Sequence, residues 1–393
     1  MNGSLYLAWR YLVFHRLKTA VLLVSITVIL FVPVGLRVLV DESSRQLTRR
    51  AEATPLVIGA RGSALELVLN TLYFGTDDPN PVPYSEAIRV DTSGLALAIP
   101  MHTRFASQGH PIVGTSLEYF TFRGLQVASG RSLAMLGECL VGSRVARSLG
   151  VGVGDYVISS PESVFDIAGV YPLRMKVVGI LAFADSPDDD AIFVDVKTSW
   201  VIEGLGHGHQ DLARPEASAG VLRRDSTVIT ANASVEQYNE ITADNLESFH
   251  FHGDLSDYPV SAVIAVPPDQ RSSALLQGRY QADGERMQVV RPSTVMDQLL
   301  GTILTVQRFI TAGAVLLGLA TVATAGLVFW LSLRLRRREM NTLFKIGGSR
   351  GTIGAVMASE LIGVMVAGIV LAGALTFLTS RFGSYAARTL IRM

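Results

Sequence analysis

The sequence predicts an α-helical membrane domain joined to an extracytoplasmic α+β domain, and three observations carry that prediction. Three windows reach the roughly 20 apolar residues that a bilayer crossing needs: Thr19 to Leu36, Phe309 to Leu333 and Leu361 to Ser380, none containing a charge. Between the first and second windows, strand-like and helix-like segments alternate, the pattern of a packed α+β domain. Charge is segregated under a net value of zero: residues 41–307 hold 32 of the 34 acidic and 20 of the 34 basic residues, a formal −12, which leaves +12 on the remainder. Basic residues beside apolar spans resist translocation and mark the cytoplasmic side.

In chain order, residues 1–18 form an amphipathic helix at the cytoplasmic face. Leu5, Leu7, Ala8, Tyr11, Leu12 and Phe14 gather near one side of it, with Trp9 and Tyr11 at headgroup depth. Residues 19–40 are the first span, preceded by Arg10, Arg16 and Lys18 on the cytoplasmic side; Arg37 snorkels to the outer interface. A cleaved signal peptide is the competing reading, but the run reaches spanning length and no A-x-A site follows. Residues 41–307 are the outer domain. It is entered through a helix extending to Glu52 and left through Thr294 to Arg308, where Met296, Leu299, Leu300, Ile303 and Leu304 fall at helical spacing. These two helices form a stalk.

Inside the outer domain the strand candidates are Leu56 to Gly59, Ala96 to Pro100, Pro111 to Thr115, Glu138 to Gly142, Tyr156 to Ser159, Met175 to Phe183, Ala191 to Val194, Val260 to Val266 and Gln288 to Val290. Helix candidates are Ala64 to Leu72, Ser143 to Leu149, which Gly150 closes, and Pro267 to Tyr280. Two subdomains are expected. Gly204 to Ala219, rich in Gly, His and Ala, is expected to be a loop. Residues 308–333 are the second span, 334–360 a basic cytoplasmic segment, 361–380 the third span and 381–393 a short tail.

The chemistry is sparse. No G-x-x-x-x-G-K-[ST] occurs; GVGVGD at Gly150 to Asp155 lacks the lysine, so this chain does not hydrolyse nucleotide through a P-loop of its own. Neither a nucleophile elbow nor HExxH nor a paired-cysteine metal motif is present, and no catalytic residue stands out. The outer domain lacks the basic patches that nucleic acid requires. The single cysteine, Cys139, allows no intrachain disulfide and is expected to be a small buried hydrophobe. Two H-x-H pairs, His207 with His209 and His250 with His252, would each present two imidazoles on one side of a strand, and together they are the candidate zinc or copper ligands. Solvated loop histidines are the ordinary alternative. The turn DSPDDDA, Asp185 to Ala191, lacks EF-hand spacing and is expected to be a solvated turn rather than a calcium site.

The basic segment carries a resemblance. Arg336, Arg337, Arg338 and Glu339 lead into M-N-T-L-F-K-I-G-G-S-R, which resembles the R-R-E-I-x-x-L-(R/K)-A-(L/I)-G-A-(S/T)-(R/K) segment of ABC transporter permeases of the MacB, FtsX and LolC/LolE type. Leu343, Ile346, Gly347, Ser349 and Arg350 fall on that pattern, and Glu360 matches an acidic residue opening the next span. Lys345 supplies the basic residue one position late, with Phe344 in its place. The outer domain is similar in order and spacing: Gly130–Arg131, then E-C-L-V-G-S-R-V-A-R-S-L-G, V-G-D-Y-V-I, M-K-V-V-G-I-L and I-F-V-D look like the MacB-type periplasmic core. The opening A-W-R-Y-L-V-F-H-R-L-K-T resembles the family's first helix.

The resemblance implies a mechanotransmission permease of the bacterial inner membrane with a MacB-like periplasmic core domain. Arg336, Arg337, Arg338, Glu339, Met340, Leu343, Phe344, Lys345, Ile346, Gly347, Gly348, Ser349 and Arg350 would then couple it to a separate ABC ATPase subunit. ATP and Mg would be bound by that partner, and no cofactor by this chain. A homodimer or a second permease, a periplasmic adaptor or lipoprotein, and membrane lipid are the other implied partners. The implied work is export or extraction of a lipid, lipoprotein or other amphipathic substrate. The alternatives are force transmission to a periplasmic hydrolase or adaptor without transport and, lower, an extracytoplasmic ligand receptor. Family permeases usually carry four spans; one span follows the segment here, so a three-span variant or a partner-supplied helix is expected.

Overall fold

The computed structural model describes residues 3–75, 79–160, 172–209, 221–224, 229–231, 238–281, 286–335, 344–345 and 349–391. The chain divides into two compact units, one built on Met1–Leu47 with Asp297–Leu390 and the other chiefly on Thr48–Met296.

The first unit is helical. A short helix, Gly3–Phe14, is followed after His15 by a long one, Arg16–Glu52. Thr19 donates its hydroxyl to the Leu12 carbonyl at 2.9 Å, bridging the junction. Two further long helices follow, Pro292–Leu335 and Arg350–Ile391. Three stretches are long and apolar enough to cross a membrane: Arg16–Val38, Pro292–Thr324 and Gly354–Arg381. Helical hydrogen bonding satisfies most backbone groups within each helix, as a bilayer interior demands, with one bond missing at Pro33 in the first. Small residues bring these helices close: a Cβ added at Gly368 would meet Ile26 Cγ2 at 2.6 Å, the kind of close approach by which membrane helices pack in the absence of a hydrophobic driving force. Phe309, Leu316 and Val322 remain exposed, apolar side chains suited to a lipid solvent.

The second unit is built on one mixed ten-stranded sheet. In spatial order its path runs Met287–Val290, Leu56–Ala60, Ala262–Val266, Leu97–Ser107, His110–Thr115, Ile192–Asp195, Glu138–Val141, Arg174–Leu181 and Val127–Gly130; Tyr156–Ile158 also pairs with Arg174–Leu181. Two pairings are parallel, His110–Thr115 with Ile192–Asp195 and Glu138–Val141 with Arg174–Leu181. The central strands are short runs of Val, Ile, Leu and Ala buried on both faces, which explains their continuous rather than alternating apolar pattern. Every sheet strand expected from the sequence is present, as are helices Ala64–Tyr73, Ser143–Leu149 and Gln270–Tyr280. Gly150 ends its helix in the left-handed region at φ 66°, where a side chain would be strained.

Two apolar clusters lie on this one sheet. One gathers Leu56, Ile58, Val260, Val263 and Trp200, whose indole donates to the Pro259 carbonyl at 2.7 Å. The other gathers Ile112, Val141, Met175, Val177, Ile192 and Cys139. Cys139 is fully buried, and burial pushes its thiol far above the ordinary range. Phe251 packs against both clusters.

Candidate functional site

The stretch expected to be a loop at Gly204 to Ala219 begins with a strand. Gly206–Gly208 pairs antiparallel with Phe249–Phe251, setting Gly206 opposite Phe251, His207 opposite His250 and Gly208 opposite Phe249. A period of two governs both segments. L-G-H-G-H alternates glycine with histidine, and F-H-F-H alternates phenylalanine with histidine. The Phe249 and Phe251 rings lie over the two glycines so closely that a Cβ at either position would meet a ring atom at 2.5 Å. One face of the ribbon is therefore fixed to the apolar core, and the four imidazoles fall on the other. The glycines look like loop residues in sequence, yet they are there because large rings occupy their face.

The imidazoles cluster. Ring centroids lie 4.8 Å apart for His207–His250, 4.9 Å for His250–His252, 5.0 Å for His207–His252, 5.1 Å for His209–His250 and 5.9 Å for His207–His209. Ligand-type nitrogens of His207, His209 and His250 all lie within 4.8 Å of one another. These three rings are half-buried and His252 is exposed. His250 Nδ1 sits 3.1 Å from the Ser248 carbonyl; a carbonyl only accepts, so Nδ1 carries the proton and Nε2 the lone pair. Burial first, then the neighbouring His250, His252 and His209, hold His207 below the usual imidazole value.

The DSPDDDA turn is solvated only at its start, where Asp185 is exposed; its second half is buried, contrary to the sequence expectation. Pro187–Asp190 is a 3₁₀ turn capped by Ser186, and Asp188 and Asp189 are buried. The physical reason lies at the end of the first long helix. Arg50 forks onto Asp188, Nη1 to Oδ2 at 2.6 Å and Nη2 to Oδ1 at 2.9 Å. Tyr119 closes the triangle: it donates to Asp188 Oδ1 at 2.6 Å and accepts from Arg50 Nη2 at 2.8 Å. Arg50 Nε also donates to the Leu72 carbonyl. Burial alone would raise the Asp188 carboxyl, but Arg50 and the hydrogen bonds from Arg50 and Tyr119 outweigh it and hold it down to about 2.

The remaining acids of the turn are also compensated. Asp189 accepts from the Ala184 and Ser186 amides and the Ser143 hydroxyl, and Arg144 pairs with Asp190 at 2.8 Å and Asp185 at 3.1 Å. Gly142 is required here, because a Cβ would run into the Asp188 and Asp189 backbone. A turn whose carboxylates are already spent on guanidinium and amide partners offers little to a hard cation. Arg131 and Glu138, both in motifs that carry the family resemblance, form another such pair, with Arg131 Nη1 2.7 Å from Glu138 Oε2.

Of the expected coupling residues, Arg336, Arg337, Arg338, Glu339, Met340, Leu343, Ile346, Gly347 and Gly348 lie outside the described residues. Phe344 and Lys345 are helical and exposed, Ser349 is exposed, and Arg350 opens the last long helix.

The family model of the MacB-like periplasmic core domain matches residues 23–240, more than half of the chain. Three solved structures resemble it. The periplasmic region of MacB from Actinobacillus actinomycetemcomitans is 9% identical with TM-score 0.35, over 64% of this chain and 97% of that one. The extracellular domain of the noncanonic ABC-type transporter YknZ from Gram-positive bacteria is 12% identical with TM-score 0.32, over 60% and 98%. A domain of a putative permease protein from Porphyromonas gingivalis is 14% identical with TM-score 0.27, over 60% and 86%. A search of the curated proteins finds no match. The sequence match over more than half of the chain, on a mixed α/β sheet beside three helices fit to span a membrane, places this chain in the MacB/FtsX-like family of ABC transporter permeases with a MacB-like periplasmic core domain.

Proposed function

We propose that the chain is the transmembrane subunit of an inner-membrane ABC complex. It couples ATP hydrolysis by a separate ATPase to movement of its periplasmic domain, for export or extraction of a lipid, lipoprotein or other amphipathic substrate. The observation that carries this reading is the helix Arg16–Glu52. It runs without a break from a candidate span to Arg50, which is anchored in the outer domain by a buried ion pair with Asp188. Pro292–Leu335 is the second unbroken helix leading from the outer-domain residues into a candidate span. A helix transmits displacement along its axis because its turns are hydrogen-bonded to one another, here with one bond missing at Pro33. Met340 to Arg350 is the proposed entry point, its motif resembling the coupling segment of the family, and a pair of permease chains with two ATPase chains is the proposed assembly.

The test is reconstitution in nanodiscs with the ATPase that copurifies from native membranes. Leu343→Asp, on the proposed docking face, is expected to lower permease-dependent ATPase activity at least tenfold while the chain stays folded. Unchanged activity would overturn the coupling assignment.

A second reading, force transmission to a periplasmic hydrolase or adaptor without cargo, is favoured by one feature. An outer-domain cleft of about 460 Å³ is bordered by Arg61, Gly62, Tyr280, Gln281 and Gln288 together with the apolar Met287 and Val289, a mixed lining that a polar partner could use. Lipids retained through purification, identified by mass spectrometry, separate the two readings.

A further inference from the structure

We infer that His207, His209 and His250 of the 206–209 and 249–252 ribbon, with His252 packed against the first and third, form a binding site for one divalent transition-metal ion of the zinc and copper(II) class. Four features carry the inference. The donors are gathered by backbone pairing, since His207 and His250 are direct cross-strand partners and His209 and His252 lie on the same face two residues along. Their backbone is fixed from behind by Phe249 and Phe251 against Gly208 and Gly206. From the side, the Tyr258 hydroxyl lies 2.8 Å from the His252 carbonyl and 3.0 Å from that of Leu205. The Ser248 carbonyl holds His250 through Nδ1, the outer-shell bond that orients metal-ligating imidazoles and leaves Nε2 free to coordinate.

The donor set selects the metal class. The cluster identified among the described residues is all imidazole, with no thiolate or carboxylate. Calcium and magnesium require oxygen, and copper(I) prefers sulfur, whereas neutral imidazole suits zinc, copper(II) and nickel. Nitrogens of a tetrahedral zinc site stand roughly 3.3 Å apart, a value that follows from Zn–N bonds of about 2.0–2.1 Å. The three nitrogens here span up to 4.8 Å, a gap that imidazole rotation about χ1 and χ2 closes without moving the strands. The bound ion would staple Gly206–His209 to Phe249–His252 across the chain between them.

The experiment uses the full chain in nanodiscs, purified through a tag without histidine and stripped with a chelator. Zinc chloride is titrated in competition with a chromophoric chelator. The expected result is one zinc per chain, weakened at least about tenfold by His207→Ala and by His250→Ala and unchanged by His110→Ala, which lies outside the cluster. Copper(II) paramagnetic resonance supplies the second readout. Nitrogen superhyperfine lines are expected in the parent chain and altered in His209→Ala, a substitution beyond the end of the Gly206–Gly208 strand. No zinc or copper(II) bound by the folded chain overturns the site, and so does undiminished zinc binding by the variant lacking all four histidines.

Discussion

Removing the Arg50 guanidinium while Asp188 stays in place should open the outer domain. The two groups are 8% and 2% exposed and share a two-pronged ion pair, so Arg50→Met strands a buried carboxylate against Tyr119. Breaking one partner of such a pair costs about 3–5 kcal/mol. Cys139 provides the assay, being the sole cysteine and fully buried in one of the two cores. Its labelling by a thiol reagent under native conditions follows the population of the opened domain. At about 1.4 kcal/mol per tenfold, the expected loss becomes a labelling rate raised roughly a hundredfold to a few thousandfold. Arg174→Ala is the control: its guanidinium is 44% exposed and its partner Glu240 is 24% exposed, so a change of about 1 kcal/mol or less is expected. The double variant Arg50→Met, Asp188→Leu should recover most of the loss, because an apolar pair needs no compensation. A rise of less than about threefold for Arg50→Met, an effect near 0.6 kcal/mol, would refute the reasoning.

Further outcomes follow from the same structure. Asp188 is held from 3.8 down to about 2 in the folded chain. Its carboxylate therefore contributes stability that is complete above pH 4 and lost as the pH falls through about 2, some 2 kcal/mol in all; acid unfolding of Asp188→Asn against the parent chain measures it. The Cys139 thiol, raised by burial, should resist maleimide in the native chain and react once denaturant is added. Gly206→Ala places a methyl 2.5 Å from the Phe251 ring, an overpacking expected to cost about 1–3 kcal/mol in thermal or denaturant unfolding.

Much of this architecture was legible because burial writes itself into composition. Strands such as Val260 to Val266 are apolar throughout, and helix ends carry marks such as Gly150. Two features were not legible. The Gly-His-Gly-His strand hides its period because glycine scores as a loop residue, and only the rings of Phe249 and Phe251 explain it; noticing that F-H-F-H shares the same alternation would have paired the two segments. The Arg50–Asp188 contact joins residues 138 positions apart, and no local pattern announces it. An acidic turn with several aspartates reads as solvated unless its cations are known, and those cations come from the end of the first long helix and from Arg144. The proposed coupling segment was read from motif resemblance, and its physical mark is a basic stretch between two apolar runs.

The central claim is that 340–350 docks on an ATPase, and site-specific photocrosslinking tests it most directly. Phe344 is 52% exposed, and a photoreactive residue introduced there, with neighbours at Lys345 and Ser349, samples the segment in native membranes. The account predicts a single dominant crosslinked protein that carries a P-loop, lost when Leu343 is changed to Asp. Crosslinks to lipid alone, or to a protein without a P-loop, from all three positions would contradict it.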